Sequence, residues 1–339
     1  MRRHRVALIG LGMAVKPHAA SLLDLHERID VAAAYAPSQQ RRQQFAVNYP
    51  FPVVDSLDAV FDDNSIDAVI ILTPPWTHDE LVRRAAAAGK HVLLEKPLDV
   101  NVERATGLVD CCERAGITFG VVFQHRFRAA SLRLDQLLRQ GALGQIQCAS
   151  ASIRWWRSPE YYAQPGRGMR DRDGGGVLLT QAIHTLDLLL HLAGPAKSVA
   201  AMVDNSGLRK IDTEDRVVAA VRWANGASGV IDATTLAYPG FPEKIEIAGT
   251  LGSAVLEVER LVVQLKDGSE VRQDGSDAGG SGNDPMAFSH AYHRAVIEEF
   301  LTAIEERREA MNSGRSALAV QRLIDALLRS GQEHREVNV

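Results

Sequence analysis

The chain is poor in cysteine, with three in 339 residues. Cys111 and Cys112 are adjacent and Cys148 stands alone, a spacing that supports neither a disulfide framework nor a zinc ribbon. Long apolar runs are missing too. Ala68–Leu72 and Leu186–Leu190 are typical of what occurs, well short of the roughly eighteen consecutive residues a membrane helix needs. Neither sign of charge dominates: 42 acidic against 38 basic residues give a net charge of −4, which offers no basic surface for nucleic acid. A composition 46% hydrophobic and 24% charged excludes disordered and fibrous chains. At about 150 residues per domain the length suggests two domains.

Arg2, Arg3 and Arg5 followed by Val6–Val15 resemble the start of a secretory signal. Two glycines interrupt the apolar run and Lys16-Pro17 closes it, so a first β-strand entering a glycine turn is the expected structure, and a cytoplasmic protein the expected setting.

Up to about residue 125, short apolar runs alternate with amphipathic stretches, the pattern of βαβ units on a parallel sheet. Val6–Ile9, Val31–Tyr35, Ala68–Leu72, His91–Leu94 and Ile117–Phe123 read as strands. Asp79–Ala88 and Val102–Ala115 read as helices, each followed by a glycine suited to a C-terminal cap. Beyond residue 126 a helix over Ala130–Arg139 leads into closely spaced strands: Val199–Val203, Val217–Arg222, Gly229–Thr234, Lys244–Ala248 and Leu261–Leu265. A helix over Gly174–Leu192 interrupts them, Asp274–Asp284 reads as a glycine-rich loop, and Tyr292–Arg308 and Ala317–Ser330 as closing helices. The expectation is an α/β protein. Residues 1–125 form a Rossmann dinucleotide-binding domain, and residues 126–339 an α+β domain on an open mixed or antiparallel sheet, with the C-terminal helices. No internal repeat is evident.

Gly10-Leu11-Gly12 follows the first strand directly. In a dinucleotide fold the first glycine makes the tight turn and the second lets backbone approach a pyrophosphate at a helix N-terminus; Val15 stands where a third glycine would be. The second strand runs into Tyr35-Ala36-Pro37-Ser38-Gln39-Gln40-Arg41-Arg42, with no carboxylate for a ribose 2′-hydroxyl. A hydroxyl, Ser38, and two guanidinium groups, Arg41 and Arg42, suit a 2′-phosphate instead, so NADP is favoured over NAD.

Thr73-Pro74-Pro75-Trp76-Thr77-His78, Ala88-Gly89-Lys90-His91-Val92-Leu93-Leu94-Glu95-Lys96-Pro97-Leu98, and Asp173-Gly174-Gly175-Gly176-Val177-Leu178 continuing to Ile183-His184-Thr185-Leu186-Asp187 together resemble the Gfo/Idh/MocA family of NAD(P)-dependent oxidoreductases over essentially the whole chain. The resemblance implies hydride transfer between nicotinamide and a secondary alcohol or ketone of a sugar, cyclitol or sugar derivative. It implies Lys96 as the residue that binds and polarises the reacting oxygen, and His184 as its acid–base partner. Family members commonly carry Asp four residues before that histidine; Thr180 stands there, and a hydroxyl can orient a ligand but holds no charge. The implied cofactor-binding set is Gly10, Gly12, Met13, Ser38, Arg41, Arg42, Leu72, Thr73, Pro74, His78, Glu95, Lys96 and Gln124. The implied substrate set is Arg126, Arg154, Trp156, Arg167, Thr180 and Asp187. A cis Lys96–Pro97 bond and a homodimer or homotetramer are also implied. No nucleic-acid, membrane or metal partner is expected: His184, Asp187 and His191 share one helix region without an HExxH or cysteine pair. Two other readings remain open on sequence: an NADP-binding regulator that does no catalysis, and a nicotinamide-dependent glycosidase.

Overall fold

The computed structural model describes residues 3–275 and 289–339. Along the first stretch run β1 (His4–Ile9), α1 (Val15–Asp24), β2 (Ile29–Tyr35), α2 (Gln39–Asn48), β3 (Val53–Val54), α3 (Asp58–Phe61), β4 (Ala68–Ile71), α4 (His78–Ala87), β5 (His91–Leu94), α5 (Val102–Ala115) and β6 (Phe119–Val121). The six strands form one parallel sheet in the order β3-β2-β1-β4-β5-β6. Every residue of β4 and nearly all of β5 is buried, as expected where helices cover both faces of a parallel sheet. Helix α5 keeps the boundaries read from sequence because both ends are capped. The Asn101 side chain accepts from Arg104 N, and Gly116 takes a left-handed φ of 65°.

The chain continues through α6 (Ala129–Arg139), β7 (Ile146–Arg154), α7 (Pro159–Tyr162), α8 (Arg170–Asp173), α9 (Ile183–Ala193), β8 (Ala196–Asp204), β9 (Arg216–Trp223), β10 (Ser228–Thr234), β11 (Lys244–Gly249), β12 (Gly252–Glu257), β13 (Arg260–Leu265) and β14 (Glu270–Gln273), then α10 (Ala291–Glu306), α11 (Gly314–Glu333) and β15 (Val337–Asn338). The second sheet has nine strands in the order β14-β13-β12-β11-β7-β10-β9-β8-β15, antiparallel except where β7 meets β10. Helices α6 and α9 pack on it. Among the described residues, the stretch Arg170–Ala193 has the length and hydropathy of a membrane span but is mostly buried.

Three expectations are corrected. The chain divides into Met1–Gln124 with His290–Leu318, and His125–Ser289 with Ala319–Val339, so α10 belongs to the first unit. Its buried face (Val296, Ile297, Phe300, Leu301) packs on α1 and β5. Just beyond it Asn312 O accepts from Val121 N and Ser313 bridges Gly120, which covers the edge strand β6. The helix read over Gly174–Leu192 is broken: Gly174 has φ 76°, Leu178–Ala182 is π-helical and α9 starts at Ile183. The cause is Glu214, whose carboxylate accepts from Gly176 N and Leu178 N, while a Cβ on Gly176 would sit 2.0 Å from Glu214 O. The strand read over Ile117–Phe123 keeps only three residues. Most of the loop read over Asp274–Asp284 lies outside the described residues.

Candidate active site

In a parallel sheet of order 3-2-1-4-5-6, ligands bind beyond the carboxyl ends of the strands where the order reverses, here between β1 and β4. The loops that leave those two strands touch. Gly10 has φ 105°, and a Cβ there would meet Leu72 C at 2.8 Å and Thr73 Cγ2 at 2.9 Å. Gly12 is different: a Cβ there would meet only Arg41 Nη1, at 3.9 Å, so the backbone above it is open to a ligand. Met13 is exposed beside it. Leu72 and Thr73 therefore lie against the glycine turn, and Pro74 follows them in the chain.

The arginines part company. Arg42 Nη1 donates to Ala36 O at 2.7 Å and Pro37 O at 3.1 Å, so it braces the loop after β2 and is withdrawn from the cofactor set. Arg41 is exposed with its guanidinium beside Gly12. Ser38 caps α2, its hydroxyl accepting from Arg41 N, which directs that oxygen inward to the helix. His78 is also corrected: fully buried, it spans Leu98 O and Thr73 O, with burial holding its pKa down. It props the Thr73 loop from beneath.

Lys96 lies two residues beyond the end of β5, half-buried, and its bond to Pro97 is cis. Its backbone N–H donates to Glu95 Oε2 at 3.0 Å, while Glu95 Oε1 lies 3.0 Å from His18 Nε2. Burial pushes the Glu95 carboxyl up, but the hydrogen bond and charge of His18 outweigh it and bring the pKa to about 2. Both carboxylate oxygens thus serve protein partners, and Glu95 fixes the peptide that carries Lys96. Gln124 Oε1 is buried and meets no donor among the described residues.

The second unit holds the remaining candidates. His184 lies in the first turn of α9, and its ring packs on that of His125 with centroids 5.1 Å apart. His125 was not foreseen, although it stands between Gln124 and Arg126. Arg128 Nη2 reaches His125 Nε2 at 2.9 Å and Arg128 Nη1 reaches Glu243 Oε1 at 2.6 Å. The Thr180 hydroxyl donates to Gly176 O at 2.6 Å.

Arg126 and Asp187 are spent on each other. Nε and Nη2 meet the two carboxylate oxygens at 2.6 and 2.5 Å, with side-chain exposures of 3% and 0%, so neither faces a substrate. Trp156 sets its ring against Tyr238 and the Arg209 guanidinium. Arg209 also lies over Tyr162 and donates to Arg157 O and Thr235 O, so Trp156 belongs to a loop-pinning nest. Arg167 lies over Tyr161 and pairs with Asp173. Arg154 is exposed, with Asp232 at 3.6 Å.

A six-stranded parallel sheet with an open glycine turn at its switch point, and a lysine at the end of a neighbouring strand, defines a dinucleotide-dependent oxidoreductase. Residues 4–123 match the oxidoreductase family with an NAD-binding Rossmann fold, and residues 131–255 the GFO/IDH/MocA C-terminal domain. The chain is 31% identical over 276 residues to an uncharacterised oxidoreductase of Synechocystis, covering 76% of this chain and 72% of that one. It is 27% identical to an inositol 2-dehydrogenase of Rhizobium meliloti over 99% of both. The WlbA dehydrogenase of Bordetella pertussis, solved with NADH and UDP-GlcNAcA, superposes with a TM-score of 0.84 at 28% identity, over 100% of this chain and 99% of that one. The chain belongs to the Gfo/Idh/MocA family of oxidoreductases. The residues present fit a nicotinamide dinucleotide: the turn at Gly10 closes without a Cβ, Gly12 is open, and Gln124 offers a buried acceptor.

Proposed function

We propose that the protein oxidises a secondary alcohol of a sugar or cyclitol, or reduces the matching ketone, with NADP the favoured cofactor. The observation that carries this reading is the presentation of Lys96 two residues beyond the carboxyl end of β5, on the same sheet rim as the glycine turn, with its peptide pinned by Glu95. The substrate class is supported by relatives such as the inositol 2-dehydrogenase. NADP is supported by Arg41 beside Gly12 and by the lack of a carboxylate at the end of β2.

Gly10, Gly12, Met13, Arg41, Leu72, Thr73, Pro74, Lys96 and Gln124 would hold the cofactor, whose nicotinamide ring, when bound, takes up or returns the hydride. Lys96 Nζ binds the reacting oxygen and holds its proton. His184 is the second acid–base group, and Thr180 takes the place of a charged third member without supplying charge. Lys96→Met should remove turnover and leave cofactor affinity nearly intact. His184→Asn should slow turnover by about 10²–10⁴-fold. The assay is net NADPH formation from a panel of polyols and aldoses. A Lys96→Met enzyme that keeps more than a few per cent of activity defeats the reading, and so does turnover of substrate with no net change in NADH or NADPH.

The same proposal includes a homodimer or homotetramer. One face of the second sheet exposes Met202, Val218 and Val230, and Met202 faces Val218 across β8 and β9. Contiguous exposed apolar sheet surface of this kind is normally covered. A monomer by light scattering at micromolar concentration would contradict it.

A further inference from the structure

We propose that His18, Glu95 and His293 form a binding site for one divalent transition-metal ion, with Zn2+ the best match, tying together three elements of the first unit. His18 comes from α1, Glu95 from the first residue after β5 and His293 from α10. The three side chains offer one donor atom each, all within 4.8 Å of one another. His18 is fully buried, His293 is 3% exposed, and the Glu95 side chain is 15% exposed.

The His18–Glu95 donor distance and the spacing of the two rings suit tetrahedral coordination, with the His293 donor drawn in from within 4.8 Å as the ion binds. With metal–nitrogen bonds of about 2.0–2.1 Å, two imidazoles on adjacent vertices have ring centres about 5 Å apart; those of His18 and His293 are 4.9 Å apart, with planes at 84°. Ligand atoms on one such ion lie about 3.3 Å apart, and His18 Nε2 and Glu95 Oε1 are 3.0 Å apart. Two neutral imidazoles and one carboxylate form a donor set typical of Zn2+, leaving one position for water. Burial holds His293 neutral, its pKa pushed down to about 3, the form a metal takes.

In the metal-free protein the His18–Glu95 hydrogen bond keeps one proton where the ion would sit. Binding expels that proton to solvent and puts the ion between the same two atoms, so affinity falls as pH falls. Glu95 Oε2 remains on Lys96 N. The ion would fasten α10 to α1 and to the end of the sheet without entering the reaction, so the site does not depend on the activity proposed above.

The test uses the full chain, purified without a metal-affinity column and stripped with chelator. After addition of Zn2+ and gel filtration, elemental analysis should find about one equivalent retained, and the melting temperature should rise by several degrees. Co2+ in place of Zn2+ should give the visible d–d absorption of a tetrahedral nitrogen–oxygen site. His293→Gln and His18→Gln should each weaken binding at least about tenfold. If His18→Gln does not fold, His293→Gln and the Co2+ spectrum of the unaltered protein decide. Three results would each overturn the proposal: no retained metal and no thermal shift, a Co2+ sample without the band, or His293→Gln binding as tightly as the unaltered protein. The three side chains would then be a proton-bridged packing cluster only.

Discussion

Replacing Asp187 by Ala removes one half of the ion pair that joins the start of the second unit to α9. Arg126 would keep its guanidinium in place, 3% exposed, with His191 Nδ1 at 3.4 Å from Nη1. A buried charge stripped of its partner costs about 3–5 kcal/mol. In a unit of this size that lowers the melting temperature by about 6–20 °C. Three of the four tryptophans, Trp155, Trp156 and Trp223, lie in this unit and one, Trp76, in the other, so intrinsic fluorescence reports chiefly on the affected part during a thermal or urea melt. The double change Arg126→Met with Asp187→Leu should recover most of the loss, because it removes both charges and keeps the volume filled. If Asp187→Ala melts within about 2 °C of the unaltered protein, or raises KM for the sugar while the melt is unchanged, the pair is not structural and the substrate role read from sequence returns.

Gly10→Ala should cost at least about 2 kcal/mol and abolish cofactor binding, because φ 105° and a contact of 2.8 Å both forbid a Cβ; normal quenching of fluorescence by cofactor would refute it. Arg41→Ala should raise KM for NADP about tenfold to a hundredfold, the value of a charged hydrogen bond, and leave KM for NAD unchanged. His191 has its pKa lowered to about 4 by burial, with Arg126 adding to the effect. A histidine depressed on folding gives stability that is complete above its unfolded pKa near 6.5 and is lost as pH falls toward 4. Urea melts should therefore weaken by about 3 kcal/mol over that interval, and His191→Gln should flatten the slope.

The features legible in the sequence are those decided locally. Ala68–Ile71 and His91–Leu94 are short apolar runs, which in this size of chain are parallel strands. Asn101 and Gly116 mark α5 because caps act on their own neighbours. What was missed depends on partners far along the chain. β3 has two residues and exists only through pairing with β2. The break before α9 is imposed by Glu214, 38 residues beyond Gly176. Among site residues, the tight turn read at Gly10 has a positive φ of 105°, and the structure adds its close approach to Leu72 and Thr73, which the sequence did not indicate. Polar side chains transferred poorly. Arg42, His78, Arg126 and Asp187 are types that serve ligands or buried pairs equally well, and only the tertiary partner decides which.

The same principle gives His125 a role that no local pattern could reveal. An arginine guanidinium donates and cannot accept. The 2.9 Å contact from Arg128 Nη2 therefore requires a lone pair on His125 Nε2, and the ring proton of the neutral imidazole sits on Nδ1. That nitrogen lies 4.0 Å from Glu243 Oε1, the oxygen Arg128 also binds, so the carboxylate faces the N–H edge of the ring. Protonating Nε2 would break the Arg128 contact and put a second cation beside the guanidinium. The His184 ring packs on that of His125 with centroids 5.1 Å apart. Arg128, which reaches both His125 and Glu243, was not suggested by any motif, and neither was Glu243.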